Sequence, residues 1–329
     1  MVRIAINGFG RIGRMVFRAG HKDPDIDFVA INDLADTKTL AHLLKYDSSQ
    51  GIFEADIFHD EESITVNGNR IQVFSQKDPF NLPWRELGVD IVVESTGLFT
   101  SKEKASLHIS AGAKKVLLSA PGKDVLTIVK GVNEHLYNGE SVVSNASCTT
   151  NCLAPLVKVL DDNFGVERGF MTTIHAYTGD QRLLDAPHKD LRRARSAAIN
   201  IIPTTTGAAS AVGKVMPHLD GKLDGNAIRV PVATGSITDF NCVLKKEASA
   251  KEINALFKSV SHRELKGVLQ YTEDPIVSSD IVGNSHSSIF DAMSTNVIDG
   301  KFVKVVSWYD NEFGYSFRMI DLLKLMAEK

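Results

Sequence analysis

The sequence predicts an α/β protein in which a doubly wound parallel sheet is followed by a second, α+β domain with a mostly antiparallel sheet. In the first half, short β-branched runs alternate with stretches of helical periodicity, an order typical of parallel sheets covered by helices. After residue 150, longer strand-like runs follow one another with little helix between them, which is typical of antiparallel sheets. With 329 residues, the chain is also long enough for two domains.

Five short apolar runs in the first half predict strands that are buried on both faces. They are VRIAI (2–6), FVAIN (28–32), DIVVES (90–95), KVLLS (115–119) and SVVSN (141–145). Two stretches between them have the amphipathic spacing of helices, RIGRMVFRAG (11–20) and SKEKASLHISAG (101–112). These elements form the predicted parallel sheet and its helical cover.

The second half predicts one helix, four longer strands and a final amphipathic helix. The helix is CLAPLVKVLDDNFG, which Gly165 ends; the strands are RGFMTTIHAY, AIRVPVATGS, ITDFNCVLKK and KFVKVVSWYD; the final helix covers 312–329. Residues 177–203 form a long connection without clear periodicity. A connection of that length inside a compact domain is usually functional.

The composition is that of an ordinary soluble globular protein, with 43% apolar and 23% charged residues. A net charge of −3 provides no global field that would favour nucleic acid or an anionic membrane. The N-terminus lacks the basic and apolar regions of a secretory signal, and no apolar run approaches the roughly 20 residues that span a bilayer. Three cysteines suit a reducing compartment. We therefore expect a cytoplasmic protein with no membrane partner and no required nucleic acid.

A glycine motif after the first strand predicts a Rossmann-type dinucleotide site. INGFGRIG contains Gly8, Gly10 and Gly13 with the spacing G-x-G-x-x-G, between the first predicted strand and the first predicted helix. Such glycines allow a tight turn, close approach of the backbone to a pyrophosphate, and close packing of helix and strand. Asp33 ends the second predicted strand, where a carboxylate binds the adenosine ribose. The alternative interpretation is a glycine turn with an exposed aspartate.

Asp33 also predicts NAD rather than NADP as the cofactor. A 2′-phosphate would lie beside this carboxylate, and two unit charges about 4 Å apart repel by roughly 4 kcal/mol at an effective dielectric constant of about 20. Even half of that repulsion disfavours NADP by more than about tenfold.

The segment SNASCTTNC (144–152) sets two of the three cysteines, Cys148 and Cys152, four residues apart. A zinc site needs about four ligands, and no histidine pair with ligand spacing accompanies these cysteines, so no metal is predicted. A disulfide across one helical turn would be strained and out of place in a reducing compartment. Two interpretations remain: a pair of buried core cysteines, or a nucleophile at Cys148 with a structural Cys152.

The position of Cys148 favours the nucleophile. Ser147 and the polar residues before it occupy the N-cap region of the predicted helix, so Cys148 lies in the first turn. Unpaired N–H groups and the helix dipole favour a thiolate there. A reactive thiolate needs a base, and His175 ends an apolar strand just before the long connection. For a lone strand histidine, a structural role is the alternative.

Three features predict a small phosphorylated substrate. RRAR (192–195) puts cations inside the long connection, where a solvated charge run is the alternative and the lack of stacking aromatics argues against nucleic acid. PTTTGAAS (203–210) puts hydroxyls and a glycine before a helical pattern, as anion-binding helix N-termini do. Arg229 is a cation on an otherwise apolar strand, and such a charge needs a partner or a ligand.

The whole chain resembles the phosphorylating glyceraldehyde-3-phosphate dehydrogenases. The matching segments are INGFGRIGR, YDSSQG, STGLF, AGAKKV, SNASCTTNCLAP, HAYTGDQRLLDAPHKDLRRAR, IIPTTTGAA, RVP and VSWYDNEFGYS. The cysteine segment combined with the C-terminal WYDNE segment is highly specific. The resemblance implies oxidative phosphorylation of D-glyceraldehyde 3-phosphate to 1,3-bisphosphoglycerate with NAD and inorganic phosphate, through a cysteine thiohemiacetal and a thioester.

The resemblance also implies roles for individual residues. Cys148 would be the nucleophile and His175 its base. The substrate phosphate would be bound by Thr178, Arg192 and Arg229, and the incoming phosphate by Ser147, Thr149, Thr206 and Gly207. Besides Gly8, Gly10, Gly13 and Asp33, the residues that would contact NAD are Arg11, Ile12, Lys77 near the adenine, Ser119, and Asn311 at the nicotinamide carboxamide.

A domain division and an assembly follow from the same resemblance. Residues 1–148, joined by the C-terminal helix 312–329, would form the dinucleotide-binding domain, and residues 149–311 the catalytic and tetramerisation domain. The family implies a homotetramer in which the long connection lies at subunit contacts near the cofactor.

Three other functions compete with this interpretation. Erythrose-4-phosphate dehydrogenases share the cysteine and the histidine but lack the intact TTTG phosphate-acceptor segment found here. A cofactor-free thiol hydrolase would use Cys148 and His175 but would leave the glycine motif and Asp33 without a role. A catalytically silent protein that binds RNA or another protein would not need every motif residue to be present.

Overall fold

A computed structural model describes all 329 residues, and the chain divides into two compact units. The first unit comprises Met1–Ile128, His135–Ala146 and Ser316–Lys329. The second unit comprises Val129–Glu134 and Ser147–Tyr315.

The first unit alternates strands and helices along the chain. Its strands are β1 (Val2–Asn7), β2 (Ile26–Asn32), β3 (Tyr46–Asp47), β4 (Gly51–Ile52), β5 (Ile57–His59), β6 (Ser63–Val66), β7 (Asn69–Phe74), β8 (Ile91–Glu94), β9 (Lys115–Leu118), β10 (Leu126–Thr127) and β11 (Val142–Ser144). Its helices are α1 (Arg11–Gly20), α2 (Thr37–Lys45) and α3 (Lys102–Ser110). The five strands and two helices predicted in this half are all present.

Nine strands of the first unit form one sheet, in the order β10-β11-β9-β8-β1-β2-β7-β6-β5. All neighbouring pairs from β10 to β7 are parallel, whereas β6 pairs antiparallel with both β7 and β5. The central strands are buried on both faces: Ile4, Ala5, Val92 and Val93 are completely inaccessible to solvent. The predicted parallel sheet is therefore confirmed, with an antiparallel edge added.

The second unit begins at the cysteine segment. Its elements are α4 (Cys148–Phe164), β12 (Val166–Ala176), β13 (Ile202–Thr205), α5 (Ala208–Val215), β14 (Leu223–Val230), β15 (Ser236–Leu244), α6 (Ala250–His262), β16 (Leu269–Thr272), β17 (Ser288–Ile298) and β18 (Phe302–Tyr309). The last helix, α7 (Phe313–Ala327), follows, and most of it is assigned to the first unit. Gly165 ends α4 with a φ of +70°, a conformation that glycine adopts without strain.

Seven strands of the second unit form a mostly antiparallel sheet, in the order β13-β14-β12-β15-β18-β17-β16. Two of its pairs, β12 with β14 and β16 with β17, are parallel. The predicted sheet type is thus confirmed. The parallel pair matters for the site, because it sets His175 of β12 directly opposite Arg229 of β14.

One predicted strand has different bounds. The run AIRVPVATGS is expected to be extended from 227 to 236, but β14 covers Leu223–Val230. Pro231 follows it, and proline has no N–H to donate to a sheet ladder. The long connection is confirmed, since no named helix or strand lies between Ala176 and Ile202.

None of the helices has both the length and the apolar character that crossing a membrane requires. No group of three or more His, Cys, Asp and Glu side chains has an arrangement that could hold a metal ion.

Candidate active site

Cys148 is the first residue of helix α4. Ser147 is the N-cap residue, and its Oγ accepts a hydrogen bond from the Thr150 N–H at 3.1 Å. N–H groups in the first turn of a helix have no partner within the helix, so they present partial positive charge to a ligand or an anion there. Cys148 is half-buried beside these groups.

The sulfur of Cys148 faces an imidazole ring. Its Sγ lies 3.4 Å from Nε2 of His175, which sits near the end of β12. The histidine is only 4% exposed, so the ring has little freedom to turn away. A thiol and a ring nitrogen at this distance can exchange a proton.

The other ring nitrogen of His175 lies beside a guanidinium group. Nη1 of Arg229 is 2.6 Å from His175 Nδ1 and donates to the backbone oxygen of Ala176 at 2.9 Å. The same carbonyl oxygen is 2.7 Å from Nδ1. A guanidinium only donates, so Nδ1 accepts from Arg229 when it carries no proton and donates to Ala176 when it does. Both tautomers of the neutral ring therefore find a partner at Nδ1.

Burial and the charge of Arg229 determine how His175 and Cys148 ionise. Burial, followed by the positive charge of Arg229, lowers the pKa of His175 to about 3, so the ring is neutral at physiological pH. Burial raises the pKa of the Cys148 thiol, and the charge of Arg229 acts in the opposite direction. The expectation that the helix N-terminus favours the thiolate is thus wrong as a net effect, because desolvation outweighs the stabilising groups. Neutral His175 is the group that can take the thiol proton.

The two remaining cysteines lie in apolar or hydroxyl-lined interior. Cys152 is completely buried, its Sγ lies 3.7 Å from the Ser288 hydroxyl, and burial raises its pKa to about 11. Burial raises the pKa of Cys242 to about 12. Of the three thiols, only that of Cys148 is both partly accessible and paired with a base.

A buried hydroxyl cluster joins the first turn of α4 to β12. The Tyr309 hydroxyl is 2.8 Å from Thr149 Oγ1 and 2.9 Å from Thr173 Oγ1. The Tyr309 ring also meets the His175 ring edge-on, with 6.0 Å between centroids. Sequence reasoning did not single out Tyr309, although it lies in the WYDNE segment. The cluster positions the turn that carries Cys148 and the ring of His175.

Asn311 is held rigidly at the end of the same sheet. Its Oδ1 accepts from the Ser236 hydroxyl at 2.8 Å and from the Gly235 N–H at 3.1 Å. The side chain is only 5% exposed. With its oxygen occupied, the amide presents N–H donors, which suit a carboxamide oxygen.

Residues implied for phosphate binding lie on the loop after β12 and at the start of α5. Thr178 follows β12, and its N–H donates to Gln181 Oε1 at 3.3 Å. Gly207 is the N-cap of α5, and Thr206 Oγ1 accepts from the Ala208 N–H at 3.1 Å. This hydroxyl and helix N-terminus form a donor-rich position of the kind that binds anions.

The two arginines in the middle of the loop differ. Arg192 is exposed and donates to the Pro203 oxygen at 3.5 Å. Arg193 is mostly buried, contacts the Asp180 carboxylate closely, and donates to Thr204 Oγ1 at 2.9 Å. Arg193 therefore ties the loop to β13. The resemblance implies a role for Arg192 and none for Arg193, and the motif RRAR does not by itself indicate which side chain turns inward.

The glycine motif in the first unit has the geometry of a dinucleotide cradle. Gly8 has a φ of +90°, and a Cβ there would lie 2.8 Å from the Thr96 nitrogen. A Cβ on Gly13 would lie 2.2 Å from the Gly8 oxygen. In contrast, a Cβ on Gly10 would meet nothing within 4 Å, so this side of the turn is open. Gly10 caps α1 without a side-chain hydrogen bond, and a helix N-terminus after a glycine turn binds the pyrophosphate of a dinucleotide.

A cavity of about 520 Å³ adjoins this turn, lined among others by Gly8, Gly10, Asp33 and Lys77. Asp33 accepts a hydrogen bond from the Phe9 N–H at 2.8 Å, which fixes its carboxylate beside the glycine turn. The site thus fits a dinucleotide, with the acidic residue where a ribose would bind.

Three further residues implied for NAD lie around this turn and sheet. Arg11 and Ile12 form the first turn of α1, and the Arg11 side chain forms an ion pair with Asp47. Ser119 follows β9, and its N–H donates to the Glu94 oxygen at 3.0 Å. Arg11 and Ile12 lie at a helix N-terminus, a position that binds anions.

Comparison with known proteins matches both units to one family. Residues 2–102 match the family model described as glyceraldehyde 3-phosphate dehydrogenase, NAD binding domain, and residues 147–311 match the C-terminal domain of the same family. A glyceraldehyde-3-phosphate dehydrogenase of Geobacillus stearothermophilus is 58% identical over 331 residues, covering 100% of this chain and 99% of that protein. Similar proteins of Streptomyces coelicolor (59% identical, 98% and 97% covered) and Borreliella burgdorferi (57%, 99% and 100%) carry the same name.

Proposed function

This chain belongs to the glyceraldehyde-3-phosphate dehydrogenase family, and on that premise we propose which residues perform each step of the reaction. It is an NAD-dependent oxidoreductase that converts D-glyceraldehyde 3-phosphate and inorganic phosphate to 1,3-bisphosphoglycerate. The observation that carries the assignment of residues is the 3.4 Å contact between Cys148 Sγ and His175 Nε2.

Cys148 is the nucleophile and His175 the base in this proposal. His175 takes the thiol proton as the sulfur adds to the aldehyde carbon, and the protonated ring then gives that proton to the former carbonyl oxygen, which yields the thiohemiacetal. An aldehyde carbon loses hydride readily only once it is tetrahedral, and His175 then removes the hydroxyl proton as the hydride leaves. Bound NAD supplies the hydride acceptor. The product on Cys148 is a thioester, which keeps the acyl group activated for attack by phosphate.

Two sets of residues bind the two phosphates. Thr178, Arg192 and Arg229 hold the phosphate of the substrate, and Ser147, Thr149, Thr206 and Gly207 receive the incoming phosphate. The helix N-terminus at Gly207 and the partly buried guanidinium of Arg229 support these roles. Fixed donors are needed because much of the rate enhancement comes from holding the reactants close together in the reactive orientation.

NAD binds at the glycine turn of the first unit. The proposed contacts are the glycines Gly8, Gly10 and Gly13 with Arg11 and Ile12 at the pyrophosphate, Asp33 at the ribose, Lys77 near the adenine, Ser119, and Asn311 at the nicotinamide carboxamide. The open side of Gly10 and the fixed carboxylate of Asp33 support the pyrophosphate and ribose positions. Residues 1–148 with the helix 312–329 form the dinucleotide-binding domain, and residues 149–311 the catalytic and tetramerisation domain.

The protein works as a cytoplasmic homotetramer in this proposal, with no membrane or nucleic acid required. Large aliphatic side chains in the loop 177–203 support self-association, because they are between 70% and 81% exposed: Leu183, Leu184, Leu191, Ile199 and Ile201. Single exposed apolar residues are ordinary, but five in one loop favour an interface. Sedimentation of the purified chain, compared with a Leu191→Asp variant, tests the assembly.

The reaction itself is tested by measuring NADH formation from two sugars. We expect turnover of glyceraldehyde 3-phosphate that depends strictly on inorganic phosphate. Faster turnover of erythrose 4-phosphate without phosphate would instead support an erythrose-4-phosphate dehydrogenase. Failure of the chain to bind NAD would contradict both and would revive a thiol hydrolase.

A further inference from the structure

A chain of buried polar side chains lies beneath the dinucleotide cavity of the first unit, and no step of the reaction uses it. Trp84 and His108 are completely buried, Asn7 is 1% exposed and Glu94 is 2% exposed. Buried polar groups of this kind need satisfied hydrogen bonds, and a carboxylate needs them most.

The indole of Trp84 fixes the direction of the hydrogen bonds that the His108 ring forms with Trp84 and Glu94. Its Nε1–H donates to His108 Nδ1 at 3.0 Å, and an indole nitrogen cannot accept. Nδ1 therefore carries no proton, and the ring is the neutral tautomer with its proton on Nε2. That proton points at Glu94 Oε2, 3.0 Å away. The contact between His108 and Glu94 is thus a neutral donor meeting an acceptor rather than a pair of opposite charges.

Glu94 is held as a carboxylate by four donors. Besides His108, Asn7 Nδ2 donates to Oε2 at 2.6 Å. Oε1 accepts from the Thr96 N–H at 2.8 Å and from the Thr96 hydroxyl at 2.5 Å. A protonated carboxyl would point its own hydrogen at one of these donors, so the ionised form is the one that fits. No lysine or arginine is among the four donors.

Glu94 is connected to the glycine turn through the backbone that it holds. It is the last residue of β8, and the Thr96 nitrogen that it binds is the atom that a Cβ on Gly8 would approach to 2.8 Å. Between them, the Ser95 hydroxyl donates to the Gly8 oxygen at 2.6 Å. Any displacement of the Ser95–Thr96 backbone therefore displaces the turn that faces the pyrophosphate.

Asn7 extends the same network towards the ribose side of the cavity. Its Oδ1 accepts from Asn32 Nδ2 at 2.7 Å. Asn32 precedes Asp33, and its Oδ1 accepts from the Gln76 N–H at 2.8 Å, next to Lys77. The network thus supports both edges of the cavity from below.

We propose that Glu94 and His108 are positioning residues for the dinucleotide. Trp84 sets the tautomer of His108, His108 and Asn7 hold the Glu94 carboxylate, and Glu94 holds the Ser95–Thr96 backbone against Gly8. The inference rests on the proposed function only in taking NAD as the ligand. It assigns these residues no contact with the reacting atoms.

The variant Glu94→Gln tests the proposal. Glutamine has nearly the same shape, but its NH₂ group would face donors at either end, so the Thr96 backbone loses its acceptor or Asn7 and His108 lose theirs. We expect the dissociation constant for NAD, measured by isothermal titration calorimetry, to rise about tenfold. The KM for NAD should rise in parallel. In contrast, kcat at saturating NAD and the KM for the triose phosphate should stay within about twofold of the wild type.

Trp84→Phe is the second variant, and Ile64→Ala is the control. Trp84→Phe keeps an aromatic ring but frees His108 Nδ1, so the tautomer is no longer imposed and NAD affinity should fall by about threefold. Ile64 is completely buried in β6 and has no part in the network. Its replacement by alanine should lower the stability of the protein without changing NAD affinity. If Glu94→Gln fails to fold, the NAD affinity of Trp84→Phe is compared with that of Ile64→Ala, and this comparison tests the proposal.

The proposal is overturned if the two network variants change NAD affinity no more than Ile64→Ala does at a similar loss of Tm. It is also overturned if kcat falls while NAD affinity is unchanged. A wild-type chain that binds no NAD would contradict the proposed function, whereas normal binding in both the wild type and Glu94→Gln would contradict this inference alone.

Discussion

Arg229 lies directly across a parallel strand pair from His175, and its Nη1 is 2.6 Å from the ring nitrogen Nδ1. Burial lowers the pKa of His175 most, and this cation lowers it further; the same cation opposes the rise in the pKa of Cys148 that burial causes. One positive charge therefore adds to the burial that keeps the base neutral, and it makes the nucleophile easier to ionise.

Replacing Arg229 by glutamine should make the thiol harder to ionise. We expect the pH midpoint of Cys148 alkylation by iodoacetamide to move upward, because a positive charge that favours the thiolate is lost. The control is Arg168→Gln, which removes an exposed charge from the same sheet. A midpoint that stays in place, or moves downward, would contradict the role given to Arg229.

Replacing Cys148 by serine should abolish oxidation. A serine hydroxyl ionises far less readily than a thiol and would give a less reactive ester, so kcat should fall by at least about 10³-fold. Calorimetry should find NAD affinity within about twofold of the wild type. Cys152→Ser is the matched control and should keep most of its activity. Substantial activity in Cys148→Ser would mean that the nucleophile is another residue.

His175 should make the protein less stable as the pH falls. Its pKa is about 3 in the folded chain and about 6.5 when unfolded, so the unfolded state takes up a proton first. Stability from this group is complete above about pH 6.5 and is lost as the pH falls towards 3. At pH 5 the loss is about 2 kcal/mol. Urea unfolding at pH 5 and pH 7 should therefore differ less in His175→Gln than in the wild type.

Replacing His175 by glutamine should also reduce turnover. Loss of a positioned base costs about 10²- to 10⁴-fold in rate, so kcat of His175→Gln should fall within that range while NAD affinity is kept. A variant that retained full kcat would show that His175 is structural, the alternative that the sequence leaves open.

Asp33→Asn should weaken the discrimination against NADP. The carboxylate accepts from the Phe9 N–H at 2.8 Å and from the Ala35 N–H at 3.1 Å, and the single oxygen of asparagine can keep the first of these bonds while the negative charge is removed. The ratio of kcat/KM for NADP to that for NAD should rise by more than about tenfold, since roughly half of a 4 kcal/mol repulsion suffices for that. Asp36→Asn, which keeps the cap of α2, is the control for charge alone. An unchanged ratio would mean that Asp33 does not determine the cofactor.

Periodicity in the sequence predicts most of the fold because it reports which faces of an element are buried. The helix that follows the cysteine segment, the strand that contains His175 and the parallel sheet around VRIAI all follow from such patterns, although α4 begins at Cys148, four residues before the predicted helix. The pairing of the strands does not follow from periodicity, because a periodic pattern contains no information about which strands lie side by side. The parallel pair of β12 and β14 and the antiparallel edge of β5 to β7 are therefore additions that only the structure provides.

The ionisation of the site residues cannot be predicted from the sequence for a similar reason. A first-turn position predicts a favoured thiolate, yet burial of Cys148 works against it, and the depth of burial depends on packing across the whole unit. The inward turn of Arg193 and the network around Glu94 likewise depend on contacts between segments far apart in the chain. Local motifs contain no signal for them.

The ladder between β12 and β14 determines which changes of chain length the catalytic unit can tolerate. Successive side chains of a strand point to opposite faces, so deleting one residue inside either strand would turn the imidazole and the guanidinium away from each other. Residues added between the two strands would leave their alignment intact. Insertions should therefore be found, and can be engineered, in the connections rather than in the eight paired positions from Gly169↔Leu223 to Ala176↔Val230.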